Sequence, residues 1–299
     1  MRSGIAILDF GGQYAHLICN RIRRLSVFAE VFTPTVDPAE LSGARGIVFS
    51  GGPASVYDEN PPEYAPEHLE TGLPVLGLCY GHQLICRHLG GEVSPGSVRE
   101  YGSALVRLQG GSPLFEGLAP SEVVWMSHGD TVARLPEGFR IIGETDDCPA
   151  AAVEDPDRRI YGLQFHPEVA HTPRGMDILD NFLRICEAPR TWTMAGYADT
   201  AISEIRAQAG DRNIFLLVSG GVDSSVAFVL FNRALGPARV QGLHIDTGFM
   251  RKGETEEVDE FLTREGFENL EIVDASEDFL GGVEGMTDPE EKRQAIGGT

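Results

Sequence analysis

The chain has 299 residues, of which 42% are hydrophobic, room for two ordinary domains each with a core of its own. Against 24 Lys and Arg stand 45 Asp and Glu, a formal net charge of −21 that disfavours nucleic acid and anionic membrane as partners. No apolar run approaches the roughly eighteen residues that span a bilayer, and the N-terminus leads into Ile5-Ala6-Ile7-Leu8 without the basic and apolar regions of a leader, so a cytoplasmic location is expected.

Cys19, Cys79, Cys86, Cys148 and Cys186 form no C-x-x-C pair and suggest neither a zinc site nor a disulfide framework. Arg21-Ile22-Arg23-Arg24, the one basic cluster, reads as a solvated helix face. Lysine is confined to Lys252 and Lys292, and this acidic, Lys-poor composition fits either salt adaptation or a biased genome.

In chain order, short apolar runs precede glycine turns. Residues 5–8 lead to Gly11-Gly12, residues 46–49 to Gly51-Gly52, and residues 75–78 to Cys79-Tyr80-Gly81. Strand, turn, helix is the rhythm of an α/β sheet. Leu17, Ile18, Ile22 and Leu25 follow helical spacing, as do Ile178, Leu179, Phe182 and Ile185, so both segments should be helices packed on that sheet. Pro189 breaks the pattern and a helix carrying Ile202, Ile205 and Ala209 restarts it. Residues 214–218 then read as a strand, 219–225 as a glycine-containing turn, 226–235 as a helix and 240–245 as a strand. One α/β domain is therefore expected over residues 1–188 and a second over 189–299.

Gly77-Leu78-Cys79-Tyr80-Gly81 is a nucleophile elbow with Cys in the place of Ser. Glycines two residues to either side permit the tight turn, and the helix that follows presents the positive end of its dipole to sulfur, favouring thiolate. Alone, the pentapeptide also fits a bland turn holding a buried Cys. A run over 160–165 leading into His166-Pro167-Glu168 adds a base with its own orienter: residues i and i+2 of a strand share a face, so Glu168 can fix the imidazole while its other nitrogen meets Cys79. His82, three residues after Cys79, is the competing base, with no orienting carboxylate in view. Ser50-Gly51-Gly52-Pro53 offers small residues whose amides can face a site, and the Gly52 and Tyr80 N–H groups make a candidate oxyanion hole; a simple turn is the alternative.

At these residues the sequence resembles the class I, triad-type glutamine amidotransferases over about residues 4–187. The likeness extends to Ile7-Leu8-Asp9-Phe10-Gly11, to Trp125-Met126-Ser127-His128-Gly129-Asp130 and to Gln164-Phe165 before the His. It implies a flavodoxin-like α/β domain in which Cys79 attacks the side-chain amide of glutamine, ammonia leaves, and water hydrolyses the thioester. It also implies that Gln83, Ser127, Gly129 and Asp130 hold the α-amino and carboxylate ends of glutamine; from residue chemistry alone Gln83 and Asp130 could equally be surface polar groups.

In the second region Ser219-Gly220-Gly221-Val222-Asp223-Ser224-Ser225 lies between a strand and a helix, where backbone amides cradle phosphate. No Gly-Lys-Ser/Thr follows, so it is not a Walker A loop. It is similar to the pyrophosphate loop of ATP pyrophosphatases, which implies an adenine-nucleotide alpha-hydrolase-like α/β domain using ATP and Mg²⁺, with Asp223 the natural metal partner. His244-Ile245-Asp246-Thr247-Gly248-Phe249-Met250-Arg251 resembles that family's second nucleotide-proximal segment. The order of the two modules resembles the glutamine-hydrolysing GMP synthase family, in which ammonia from the first domain aminates adenylated xanthosine monophosphate (XMP) in the second. That likeness reaches about Ile296 and takes in Asp288-Pro289-Glu290. Complete members go on to more pyrophosphatase domain and a C-terminal domain through which they are homodimers. Ile296-Gly297-Gly298-Thr299 departs from the hydrophobic helix that the family would have there, so the second domain is expected to be partial. A glutaminase feeding a different ligase and a catalytically silent nucleotide-binding module remain as alternatives.

Overall fold

The computed structural model describes residues 1–58 and 61–298, the side chains of 97–99 excepted, and the chain divides into units Met1–Thr193 and Met194–Thr299. In the first unit come strand β1 (Gly4–Leu8), helix α1 (Ala15–Arg24), β2 (Ala29–Phe32), β3 (Ala44–Phe49), β4 (Val75–Leu78), α2 (Tyr80–His88), β5 (Glu92–Leu108), β6 (Ser121–Arg134), β7 (Arg140–Glu144), β8 (Ala152–Asp155), β9 (Ile160–Leu163) and α3 (Gly175–Ile185). The strands form one nine-stranded sheet in the order β2-β1-β3-β4-β9-β8-β7-β5-β6. Its first five members pair in parallel and the remaining pairings are antiparallel.

The parallel half follows directly from its sequence. Each residue of β1 is buried, because helices cover both faces. Ile5 and Ile7 pack with Ile18 and Ile22 of α1 and Ile178 and Phe182 of α3. Ala6 and Leu8, on the opposite face, pack with Phe49, Tyr80 and Ile85 on the side of α2. The carboxyl ends of β1, β3, β4 and β9 therefore converge at one rim, the usual ligand edge of such sheets. The antiparallel half is an addition that the sequence pattern does not announce. Along β6 the burial alternates through Val124, Met126 and His128, as a half-covered strand requires.

The second unit holds α4 (Met194–Ala209), β10 (Ile214–Leu217), α5 (Val222–Leu235), β11 (Val240–Asp246), α6 (Glu254–Arg264), β12 (Leu270–Asp274), α7 (Ser276–Gly282) and α8 (Pro289–Gly298). Its sheet is parallel in the order β10-β11-β12. The segment expected as a turn over 219–225 is shorter than that, because α5 already begins at Val222 and takes residues 222–225 as its first turn. Ile296, Gly297 and Gly298 continue α8, which buries none of its residues; Thr299 lies outside the described residues. No helix among the described residues is long and apolar enough to cross a membrane.

The two cores differ in depth. In the second unit the buried apolar cluster is Val218, Phe228, Val240 and Leu262, while Phe215 and Leu217 of β10 stay 64% and 58% exposed. Local opening tracks buried apolar packing. Hydrogen exchange followed by mass spectrometry should therefore show the amides of β11 exchanging well before those of β1, β3 and β4; equal protection would contradict this account of the cores.

Candidate active site

Strand β4 runs into α2 with only Cys79 between them, and that residue adopts φ 51° and ψ −105°. A non-glycine residue held there is strained, a condition that persists where the surroundings over-determine it. Two backbone bonds clamp it: the Cys79 amide donates to the Leu163 carbonyl at 2.7 Å, and the Cys79 carbonyl accepts from the Gln83 amide at 3.1 Å. The flanking glycines are explained by close approach. A Cβ on Gly77 would lie 2.7 Å from the backbone of Gly81, and one on Gly81 would collide with the Phe49 carbonyl of β3.

His166 and Glu168 lie just past β9, which ends at Leu163. Their pairing therefore comes from a turn over residues 167–170 and not from the shared strand face that the sequence suggested. His166 Nδ1 meets Glu168 Oε1 at 2.7 Å with both side chains buried. The backbone is pinned as well: the His166 amide donates to the Trp125 carbonyl, and the Thr172 hydroxyl donates to the His166 carbonyl. Burial alone would lower the imidazole's pKa, but hydrogen bonds and charge interactions with Cys79 and Glu168 outweigh it and push it up to about 10.

The other candidate base sits in a different environment. His82 is fully buried, its Nε2 has no hydrogen-bond partner, and desolvation lowers its pKa to about 4. Burial likewise raises the thiols of Cys86 to about 12 and Cys148 to about 11.

A cavity of about 530 Å³ opens above Cys79 and is lined by Gly52, Tyr80, Gln83, Ser127, Gly129 and Asp130 among others, so the expected oxyanion and glutamine-binding residues share one space. A smaller recess of about 340 Å³ reaches Cys79 from the side of His166 and Tyr14. Cys79 Sγ donates to the Ser127 carbonyl at 3.5 Å. Gln83 is buried, with its amide nitrogen donating to the Asp130 carbonyl at 2.9 Å and to Gln164 Oε1 at 3.0 Å. Asp130 Oδ2 accepts from the Ser55 hydroxyl at 2.6 Å.

In the second unit, Ser219 and Ser224 exchange a hydroxyl contact at 3.1 Å, and the Ser219 amide donates to Ser224 Oγ. Gly220 takes φ 82°, and α5 starts two residues later with Asp223 exposed in its first turn. The first amides of a helix have no intrahelical acceptor, so this end offers donors to an anion. The residues present fit a phosphate group. Elsewhere, Glu100, His128 and Cys148 bring potential metal-ligand atoms within 4.8 Å of one another, a convergence that spacing in sequence does not reveal.

The family model for class-I glutamine amidotransferases matches residues 6–186. The chain belongs to that family. Its relatives include glutamine-hydrolysing GMP synthases of Clostridium perfringens, 45% identical over 301 residues, and of Carboxydothermus hydrogenoformans, 46% identical over 300 residues. Each alignment takes in 99% of this chain, and the chain spans 59% of the length of these curated relatives. Among solved structures, a Thermoplasma acidophilum protein provisionally assigned as one component of a GMP synthase is 31% identical with a TM-score of 0.56, covering 67% of this chain and 98% of its own.

In this amidotransferase unit several residues around the site were given no role from sequence, although Gln164 stands in the run that carries the family likeness. Gln164 is fully buried and its amide donates to Cys79 Sγ at 3.6 Å. It stands two positions before His166, so the alternation argument used for Glu168 would have found it. Tyr14, whose ring meets His166 edge-on at 5.3 Å, and Ser55 carried no such signal.

The His166 shift has a sign that can be tested. With the folded pKa raised from 6.5 to about 10, the interaction's contribution to stability is fully present below pH 6.5 and is lost as the pH rises through about 10. The stability difference between the parent and His166→Gln, from urea unfolding, should shrink from pH 6 to pH 10; a difference that grows would invert the assignment.

Proposed function

We propose that the N-terminal unit hydrolyses glutamine to glutamate and ammonia through Cys79, His166 and Glu168. The observation that carries this reading is the buried Nδ1 contact of 2.7 Å between His166 and Glu168, with the other ring nitrogen turned to the strained Cys79. Cys79 sulfur attacks the side-chain carbonyl carbon of glutamine. His166, already protonated in its pairing with Cys79 and Glu168, passes its proton to the departing nitrogen, so ammonia leaves as the C–N bond breaks. Water, deprotonated by the same imidazole, then cleaves the thioester. Glu168 keeps His166 in one tautomer and stabilises its charged form. Amides at Gly52 and Tyr80 would stabilise the oxyanion, and Gln83, Ser127, Gly129 and Asp130 would bind the amino-acid end of the substrate.

For the whole protein we propose GMP formation from XMP, ATP and glutamine in the cytoplasm, a reading supported by the curated relatives of that name. Residues 219–225 would hold the pyrophosphate of ATP, and Asp223 would hold Mg²⁺, which would supply neutralisation of phosphate charge. When bound, ATP supplies activation of an acceptor oxygen by adenylation. Homodimerisation through a C-terminal domain belongs to the same proposal.

Glutamate release from glutamine should fall to background in Cys79→Ala, since no other group present can form the thioester. Glu168→Gln should retain some turnover, reduced on the order of a hundredfold or more. Activity in the Cys79 variant within a few fold of the parent would end the assignment.

Asp223→Ala should weaken Mg-ATP binding in a calorimetric titration while leaving glutamine hydrolysis intact. Parallel loss of both activities would show that the loop is not a separate nucleotide site.

A further inference from the structure

The wall of the cavity formed by Ser127, Gly129 and Asp130 lies beside a register shift between β5 and β6. Between β5 and β6 the register runs regularly from Arg107↔Ser121 to Glu100↔His128, then shifts, and resumes only at Pro95↔Asp130. A register shift of β5 against β6, between Pro95 and Glu100, thus falls at this wall.

A chain of side-chain bonds ends on the Asp130 carbonyl in this wall. His128 Nδ1 meets the Asp130 carbonyl at 2.9 Å, and because a carbonyl only accepts, Nδ1 must carry hydrogen. The other nitrogen, Nε2, meets Glu100 Oε2 at 3.0 Å, with the two side chains 3% and 10% exposed. A carboxylate oxygen accepts as well, so a proton lies between them. The second Glu100 oxygen accepts from the Thr145 hydroxyl at 3.0 Å, and that hydroxyl in turn accepts from the Cys148 amide. Each polar atom of Glu100, His128 and Thr145 named here thus has a partner within the protein. The Asp130 carbonyl at the end of the chain also receives the Gln83 amide, which comes from α2.

We infer that Glu100 and His128 are positioning residues for glutamine recognition: they fix the peptide of Asp130, and with it the wall that receives the amino-acid end of the substrate, without touching Cys79. The inference rests on the glutaminase reading above. A fully satisfied buried polar chain is rigid. Without Glu100 the imidazole loses the acceptor that sets its orientation, and the Asp130 carbonyl is held from one side only.

The experiment compares two reagents on Cys79 in the full chain, with the modified residue identified by mass spectrometry. A diazoketone analogue of glutamine must occupy the pocket to react, whereas iodoacetamide needs only the thiol. In Glu100→Ala the KM for glutamine should rise, and diazoketone labelling should slow, by about tenfold, equivalent to about 1.4 kcal/mol. Iodoacetamide labelling and kcat should stay within about twofold. Glu100→Gln, whose amide can donate to Nε2 while its carbonyl accepts from Thr145, should recover most of the loss. Thr145→Val, a milder cut in the same chain, should give a smaller effect of the same selectivity, and it stands in should Glu100→Ala fail to fold. Equal slowing by both reagents, or no change with either, overturns the positioning role. A parent chain that the diazoketone labels no faster than iodoacetamide does removes the glutaminase reading instead.

Discussion

A strand that runs into a helix with a single residue between them forces that residue out of ordinary backbone space, and much of the first unit is arranged around that turn. Cys79 holds φ 51° because its amide and carbonyl are both tied, one to β9 and the other to α2. The helix can lie close only because Gly77 and Gly81 have no Cβ to meet each other or the Phe49 carbonyl. The turn sits between β3 and β9 in the parallel half, so neighbouring strand ends deliver Gly52 and His166 to the same space. The strain is borne by a core in which Leu76, Leu78 and Tyr80 are almost wholly buried.

Two histidines within this unit show how environment assigns chemistry. His82 and His166 are both buried, so desolvation disfavours the imidazolium at each. His82 has the weak thiol of Cys86 at 3.7 Å, and burial, outweighing the backbone of Ala150, lowers its pKa to about 4. His166 has a carboxylate on one nitrogen and Cys79 at the other, and its pKa is driven up to about 10. His82 is the nearer of the two to Cys79 in sequence, but it is His166 that has a carboxylate partner.

The parallel strands were legible in the sequence because strands buried on both faces are unbroken apolar runs, and here each ends in a glycine turn or at the elbow. The β5–β6 hairpin was not. Tyr101 and Leu105 of β5 are 69% and 55% exposed, so the apolar residues of that strand do not mark its covered face, and Pro95 and Gly96 read as a break. At the candidate site, motif and spacing pointed to Cys79, His166 and Glu168, which the fold brings together, although the contact between the last two arises in a turn beyond the strand. The burial of Gln83 could not be read from residue chemistry. Glu100, His128 and Thr145 come together through strand register, which spacing along the chain does not encode.

The irregular register of β5 and β6 has a physical counterpart in what a binding wall requires. In an unbroken antiparallel ladder the peptide groups are consumed by pairing, and nothing is left for a ligand. A shift in register releases them, as bulges near functional sites do. Freed backbone is also less constrained, and a loose wall loses affinity to the entropy of ordering it. The structure reconciles the two demands by transferring the constraint to side chains. Ser127 is held to the elbow through the Cys79 thiol, and Asp130 through Gln83, His128 and Ser55. His166 is tied to the same strand through Trp125. One strand therefore fixes Cys79, His166 and the cavity wall relative to one another, beside the register shift between β5 and β6.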